Sequence, residues 1–566
     1  MVRPPRAFAV ALAINVAADA AAQQAPPAPP AAAVAASKSP LAERAARRAD
    51  CHDTKVLAAI RDGLGWLRSH QDEDGGWDCD GFCKHDNRPK GADAGEAHHD
   101  VGVTALALLA MLAEADPLYD APIQRGVDWL TRHQGTDGFM GTTSLDAVYD
   151  HAIATLVLVE GYDLLRLERW RAAAAAGLAH LDKRRSRGAA WRYGFADGDS
   201  DMSVTSWCIE ALAAGVAAGF EVDATAVGEA LGWVDGATDR FDCRTGYTRP
   251  REGSARRVGD IDRFPAYLGE AMTAAAIHVR LLLGIEPAQP LVEGGAAAVN
   301  GLPPHADDPK ALDYYYWFHA SQAMAQMPKP TAAKWAKALD AALPALQEHS
   351  GADAGSWAPA DPWGQAGGRI YSTALAVLSL QARYRVAPAP LAQGLPRTGP
   401  LAPLRDKLLR GERLAAFELF AKLGRPGGAG ADEFGGVLAP VRWSFAVECR
   451  ALERELASHD AAKPEDKDWL AYADMLERAR LLGRGAPLGA DAERRLQELK
   501  KDAKAQREID SGQRLRALRE KLDAHRGDRS KLIEQVEKLA DDFADTNAGK
   551  LARWLAAQLH SGGARK

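Results

Sequence analysis

The chain has 566 residues, too many for one ordinary hydrophobic core, so two or more domains are expected. Its net charge of -6 argues against nucleic acid as a partner, because phosphate contacts need a basic face. No apolar run reaches the roughly 20 residues of a membrane span, and the alanine-rich composition favours helices.

In chain order, Arg3 and Arg6 precede an apolar stretch from Ala7 to Ala18, and Ala18-Asp19-Ala20 resembles a small-residue cleavage site. Residues 1–20 therefore read as a signal peptide that sends the protein to the periplasm or envelope, with the cytoplasm as the alternative. Residues 21–49, rich in proline and alanine, are expected to be a linker. Cys79 and Cys83 lie close to His85 and could form a disulfide after export or hold metal if reduced. Their three-residue gap is not the zinc-knuckle spacing and no second pair follows, so a loop without metal is expected.

From there a pattern recurs: an amphipathic helix, a glutamine, then a polar turn ending in glycine and an aromatic. The clearest copies are Gln71–Trp77, Gln134–Phe139 and Gln347–Trp357. Weaker ones end at Trp191, at Tyr247 and, without an aromatic, near Leu302, so successive turns fall 52 to 62 residues apart. Repetition at such a period marks an array of supersecondary units. Amphipathic helices are predicted at 56–70, 123–133, 171–182, 225–235, 291–300 and 331–348. More apolar ones are predicted to begin near Asp100, Asp150, Asp201, Glu270, Asp313 and Ile370. Alternating outer and inner helices give an all-α, six-hairpin α/α toroid (an α6/α6 barrel) over residues 50–390. Turn glycines supply backbone angles that other residues avoid, and the glutamine amide can satisfy free groups at helix ends.

These turns and the six-fold helix pairing resemble the superfamily of squalene and other terpenoid cyclases, protein prenyltransferase β-subunits and thioester-containing complement domains. The segments DVGVTALALLAML, YDHAIATLVL, DMSVTSW, DYYYWFHAS and GGRIYSTALAVLSL resemble a bacterial group of prenyltransferase/squalene-oxidase-repeat proteins. The resemblance implies the fold; the reaction depends on what lines the cavity.

Prenyltransferases hold zinc with an aspartate and a cysteine at one inner helix and a histidine at another. Here Asp313 and Trp317 fit that pattern, but Tyr315 replaces the thiolate and Arg369-Ile370-Tyr371 contains no histidine. Neither metal nor cofactor is therefore expected, and zinc-dependent prenyl transfer is disfavoured. Squalene-hopene cyclases protonate an alkene from an Asp-x-Asp-Asp motif. The nearest match is Asp199-Ser200-Asp201-Met202, with Asp201 as the proton donor and the last acid missing. No thioester run, Gly-x-Ser-x-Gly elbow, P-loop or His-Glu-x-x-His motif occurs.

Five inner helices begin at an acid: Asp100, Asp150, Asp201, Glu270 and Asp313, with threonines close behind at Thr104, Thr155, Thr205 and Thr273. Each acid alone reads as a helix cap. Gathered at one mouth with His99, His151, Tyr314, Tyr315, Trp317, His319, Arg369 and Tyr371, they could line a cavity. Such a mouth suits a hydrophobic, amphipathic or peptide ligand. His98 and His99 are assigned mainly to a surface loop. Residues 391–403 read as a linker. Residues 404–566 read as a smaller helical accessory region, with stretches near 404–423, 441–458, 466–483 and 491–508, that could pair with a partner. The leading expectation is a ligand-binding toroid; the alternatives are a divergent cyclase using Asp201 and a structural envelope protein.

Overall fold

All twelve helices expected from the repeats are present. In the computed structural model the outer ones are α2 (Thr54–Ser69), α4 (Asp120–Arg132), α6 (Glu168–Arg184), α8 (Ala224–Gly236), α10 (Pro290–Gly301) and α12 (Lys329–Leu346). The inner ones are α3 (Asp100–Glu114), α5 (Ala147–Leu165), α7 (Met202–Ala217), α9 (Ala271–Leu282), α11 (Tyr314–Met324) and α13 (Gly364–Arg385). The structure describes residues 39–562 apart from 87–88, 90, 143–145, 187–188, 194–198, 258, 424–434, 464–466 and 525–528. The expected signal peptide and the linker up to residue 38 lie outside the described residues.

Hydrophobic patterning explains the two layers. Every residue of α3 from Val101 to Glu114 is buried, whereas α4 buries one face through Ile123, Val127 and Leu130. Each inner helix packs on the next, and α13 packs on α3, so the ring is closed. Among the described residues the only β-type pairings are three isolated bridges, all inside repeat turns. No described helix is long and apolar enough to cross a membrane.

The turns fasten one repeat to the next. Gln71 Nε2 donates to Gly75 O within its own turn and to Pro122 O of the following outer helix, both at 2.9 Å. Gln134 does the same with Gly138 O and Ala173 O. The closing aromatics point back: the indole N–H of Trp77, Trp191 and Trp357 donates to Leu67 O, Leu181 O and Leu343 O, each at 2.8 Å. In the repeat that lacks an aromatic, the Tyr316 hydroxyl of α11 donates to Leu302 O at 2.9 Å instead. The helix threonines complete the device, since Thr104, Thr205, Thr273 and Thr373 accept the backbone N–H of Trp77, Trp191, Thr245 and Trp357.

A helix, α1 (Pro40–Ala49), occupies the end of the expected linker and corrects it. Ser39 caps it, with Ala42 N donating to Ser39 Oγ, and its arginines bind the C-terminal ends of inner helices. Arg44 pairs with Glu160 and Arg48 with Glu114, both at 2.9 Å, while Arg47 donates to Tyr384 O. Behind it the barrel axis carries a buried polar network. Arg385 meets Glu160 at 2.6 Å and Glu210 at 3.3 Å, and His278 Nε2 lies 3.5 Å from Glu210. That end of the barrel is therefore closed.

After the toroid come α14 (Pro390–Gln393), α15 (Ala402–Leu409), α16 (Arg413–Leu423) and α17 (Gly435–Ala461). Residues 38–461 form one compact unit and the chain from Ala462 onward a second, so the expected accessory region divides at Ala461. Helix α17 lies along α8 at Gly228 and Gly232, where a Cβ would fall 2.6 and 2.8 Å from Arg450 and Arg454 side chains.

The second unit contains α18 (Trp469–Leu482), α19 (Pro487–Leu499), α20 (Ala503–Ala524), α21 (Ser530–Asp542) and α22 (Asn547–Gly562). The helix expected over 491–508 is broken, because Asp502 caps a new helix by accepting the N–H groups of Lys504 and Ala505.

Candidate functional site: an aromatic cavity at the mouth of the toroid

The inner helices present their first turns to a cavity of about 400 Å³. Val103 and Leu106 come from α3, Tyr149 and Ile153 from α5, Ser203 and Trp207 from α7, Met272 from α9, Tyr315 from α11, and Tyr371 and Leu375 from α13. Tyr193, Tyr247 and Trp363 add aromatic walls from the connecting loops, and Glu96, His99, Asp146, Asp150, Arg256 and Arg257 form a charged rim. The volume and the mix of apolar walls with a few polar groups are those of a small-molecule pocket.

Of the residues expected to line it, His99, Asp150, Tyr315 and Tyr371 do. Asp150 is buried, and its two carboxylate oxygens lie 3.1 and 3.2 Å from His99 Nδ1. Gly102 makes this approach possible, because a Cβ there would fall 2.2 Å from Asp150 Oδ1. Burial alone would lower the His99 pKa, but hydrogen bonds to Asp146 and Asp150 outweigh it and hold the imidazole up to about 10.

The other expected residues serve the scaffold. Asp201 caps α7: Oδ1 accepts from Ser203 Oγ at 2.6 Å and Val204 N at 2.9 Å, while Oδ2 is buried without a hydrogen bond. It stands behind Ser203, outside the cavity wall, and burial pushes its carboxyl up to about 6. Asp100 accepts Cys79 N at 2.8 Å, and Asp313 caps α11 and pairs with Arg256 at 2.9 Å. Glu270 accepts from Arg244 and Thr273. Asp199 is exposed and paired with Arg192. His151 bridges Met140 N and Gly177 O inside the protein wall, where burial lowers its pKa to about 3. Tyr314 and Trp317 are core, with ring centroids 6.0 Å apart. Arg369 binds Asp93 through two nitrogens and Ser356 through a third. His319 is fully buried with neither ring nitrogen hydrogen-bonded, edge-on to Tyr315 with centroids 4.5 Å apart.

The structure moves His99 from an expected surface loop to the cavity rim, with His98 beside it. The loop residues Tyr193, Arg256 and Arg257 carry no motif, and Tyr247 is legible only as the aromatic that closes a repeat turn; proximity in the fold assigns them to the cavity. None of the six cysteines forms a disulfide, and Cys79 Sγ, in the buried loop beside Asp100, lies 3.5 Å from Gly367 O.

Residues 45–148 match the family profile of the squalene-hopene cyclase C-terminal domain. No curated protein matches the chain. Similar solved structures include the GH76A α-1,6-mannanase of Salegentibacter sp. HEL1_6, at 10% identity and a TM-score of 0.39 over 58% of this chain and 98% of that one. An inactive variant of the same enzyme in complex with α-1,6-mannotriose is 9% identical, with a TM-score of 0.40 over 58% of this chain and 99% of that one. With its closed ring of six helical hairpins and this match, the chain is similar to the terpenoid cyclase and prenyltransferase superfamily of α/α toroids.

Proposed function

We propose that the toroid is a binding module whose mouth cavity takes a small amphipathic, lipid-like molecule, its apolar body against the aromatic walls and its polar end at the rim. The observation that carries this reading is the cavity itself: apolar and aromatic inside, charged only at the rim, and fed by every inner helix. The acids around the mouth are already occupied, as caps or in ion pairs, which fits holding a ligand better than transforming one.

One observation favours a second reading, a divergent cyclase: Asp201 Oδ2 is buried behind a wall residue, accepts no hydrogen bond and meets Arg192 only at 3.9 Å. Against it, burial makes Asp201 a weaker acid, whereas protonating an alkene demands a stronger one.

Calorimetric titration of the full-length protein with farnesol, dodecanoic acid and dodecylamine tests the binding reading. One-to-one binding to at least one probe is expected, weakened by about tenfold or more in Leu106→Trp, which fills the chamber. Absence of saturable binding to all three would sink it. Incubation with squalene is the second arm, and products that disappear in Asp201→Asn would establish the cyclase instead.

A further inference from the structure

We propose that Glu96, His98, His99 and Asp146 form a binding site for one divalent transition metal ion, zinc by preference, at the rim of the cavity. The short segment Glu96–His99 supplies three donors, and Asp146, just before α5, stands beside the two imidazoles. One atom each from Glu96, His98 and His99 gathers within 4.8 Å of the others. His98 Nε2 lies 3.3 Å from Asp146 Oδ1 and 3.6 Å from Glu96 Oε2, and His99 Nε2 lies 3.3 Å from Asp146 Oδ2.

Donors placed tetrahedrally about zinc at roughly 2.0–2.1 Å stand about 3.3–3.4 Å apart, so three donors already gathered within 4.8 Å need only small side-chain movements to close on an ion. Two imidazoles and a carboxylate are also a donor set that zinc accepts and that calcium or magnesium, with their all-oxygen preference, do not favour.

The surroundings support the same assignment. His99 turns Nδ1 to the buried Asp150, the carboxylate–histidine arrangement that orients a metal-bound imidazole and leaves Nε2 for the ion. Arg257 takes Glu96 Oε1 at 2.5 Å, fixing the carboxylate with Oε2 toward His98. Glu96, His99 and Asp146 all border the cavity, so an ion held here would face it. By contrast, Asp78, Asp80 and Asp100 gather nearby as oxygen donors only. There Asp78 already serves Gly81 N and Lys84, and Asp100 serves Cys79 N, so that cluster is a loop cap. The metal assignment stands independently of what fills the cavity.

The test is titration of full-length protein, stripped by chelator dialysis, with Co²⁺ and then Zn²⁺. The expected result is one equivalent of Co²⁺ with the visible absorption of a tetrahedral N/O site, displaced by one equivalent of Zn²⁺. His98→Ala and His99→Ala should abolish the band, Asp150→Asn should weaken binding by about 10–100-fold, and Asp78→Asn should leave it unchanged. His98 is at the partly exposed rim, so His98→Ala with an unchanged thermal melt is the deciding variant if His99→Ala fails to fold. Lack of stoichiometric metal, or a band that survives His98→Ala, overturns the assignment.

Discussion

Gln347 donates to the carbonyl of Ala59 at 2.9 Å and so fastens the last hairpin to the first. Its second N–H holds Gly355 O, and Gly355, at φ +95°, packs where a Cβ would fall 2.4 Å from Asp62 O. This side-chain amide and this glycine thus fasten the outer seam of the ring, beside the packing of α13 on α3. Gln347→Leu is expected to cost about 1–3 kcal/mol, because two buried carbonyls lose their donor. Gly355→Ala should cost at least as much through strain and collision. Urea unfolding of both variants checks this; a stability equal to wild type would show that the seam does not hold the ring.

Arg385 stands between Glu160 and Glu210 on the barrel axis, with Gln322 Oε1 3.0 Å away. Removing one partner of such a buried set leaves charge without compensation, so Arg385→Met should destabilise by about 3–5 kcal/mol. Adding Glu210→Gln should recover part of the loss. Additive losses in the double variant would mean that the two side chains do not act as a pair.

The turns were legible because each is local: glutamine, glycine and aromatic sit within eleven residues and recur. The cavity was legible only in part. On α11 every residue from Tyr314 to Met324 is buried, so burial cannot say which face looks inward. Helical spacing can: Tyr315, His319, Gln322 and Gln326 share one stripe, as do Ser203, Trp207 and Glu210 on α7. The stripes begin at the cavity and end in the polar network, which places His319 one turn below the ligand space and leaves Trp317 in the core. His99, Tyr193 and Arg256 come from loops without periodicity, and only the closed ring brings them to one place.

Asp361 predicts how stability follows pH. Burial, reinforced by Asp313, pushes its carboxyl up to about 8, although it accepts the N–H of Tyr314 and of Trp363. The unfolded chain loses this proton near the ordinary value of 3.8, so between there and about 8 the folded state holds the extra proton. Stability therefore falls as pH rises through that window, by at most ~1.4 kcal/mol per pH unit from this group, and flattens above it. Asp201 contributes in the same sense only up to about 6. Asp361→Asn mimics the neutral form and should make the profile shallower from about pH 6 to 8, leaving the fall that His99 adds above its ordinary 6.5. Parallel profiles for variant and wild type, read from urea midpoints at fixed salt, would exclude this assignment.

Where the toroid unit ends can be tested by truncation. On α17, Trp443 donates to Val222 O at 3.0 Å, Arg450 pairs with Glu229 at 2.7 Å, and Ser444 reaches Leu283 O at 2.5 Å. The glycines of α8 beneath it leave a groove that α17 fills. A chain ending at Pro390, the end of the repeats, would expose that groove together with the Leu283 carbonyl. It is expected to aggregate or melt well below the intact protein, by ~3 kcal/mol or more of lost burial and hydrogen bonding. A chain ending at Ala461 keeps every one of these contacts and should fold with a single cooperative transition. Equal melting of the two truncated chains would show that α17 adds nothing to the toroid, and that the repeats alone form the folding unit.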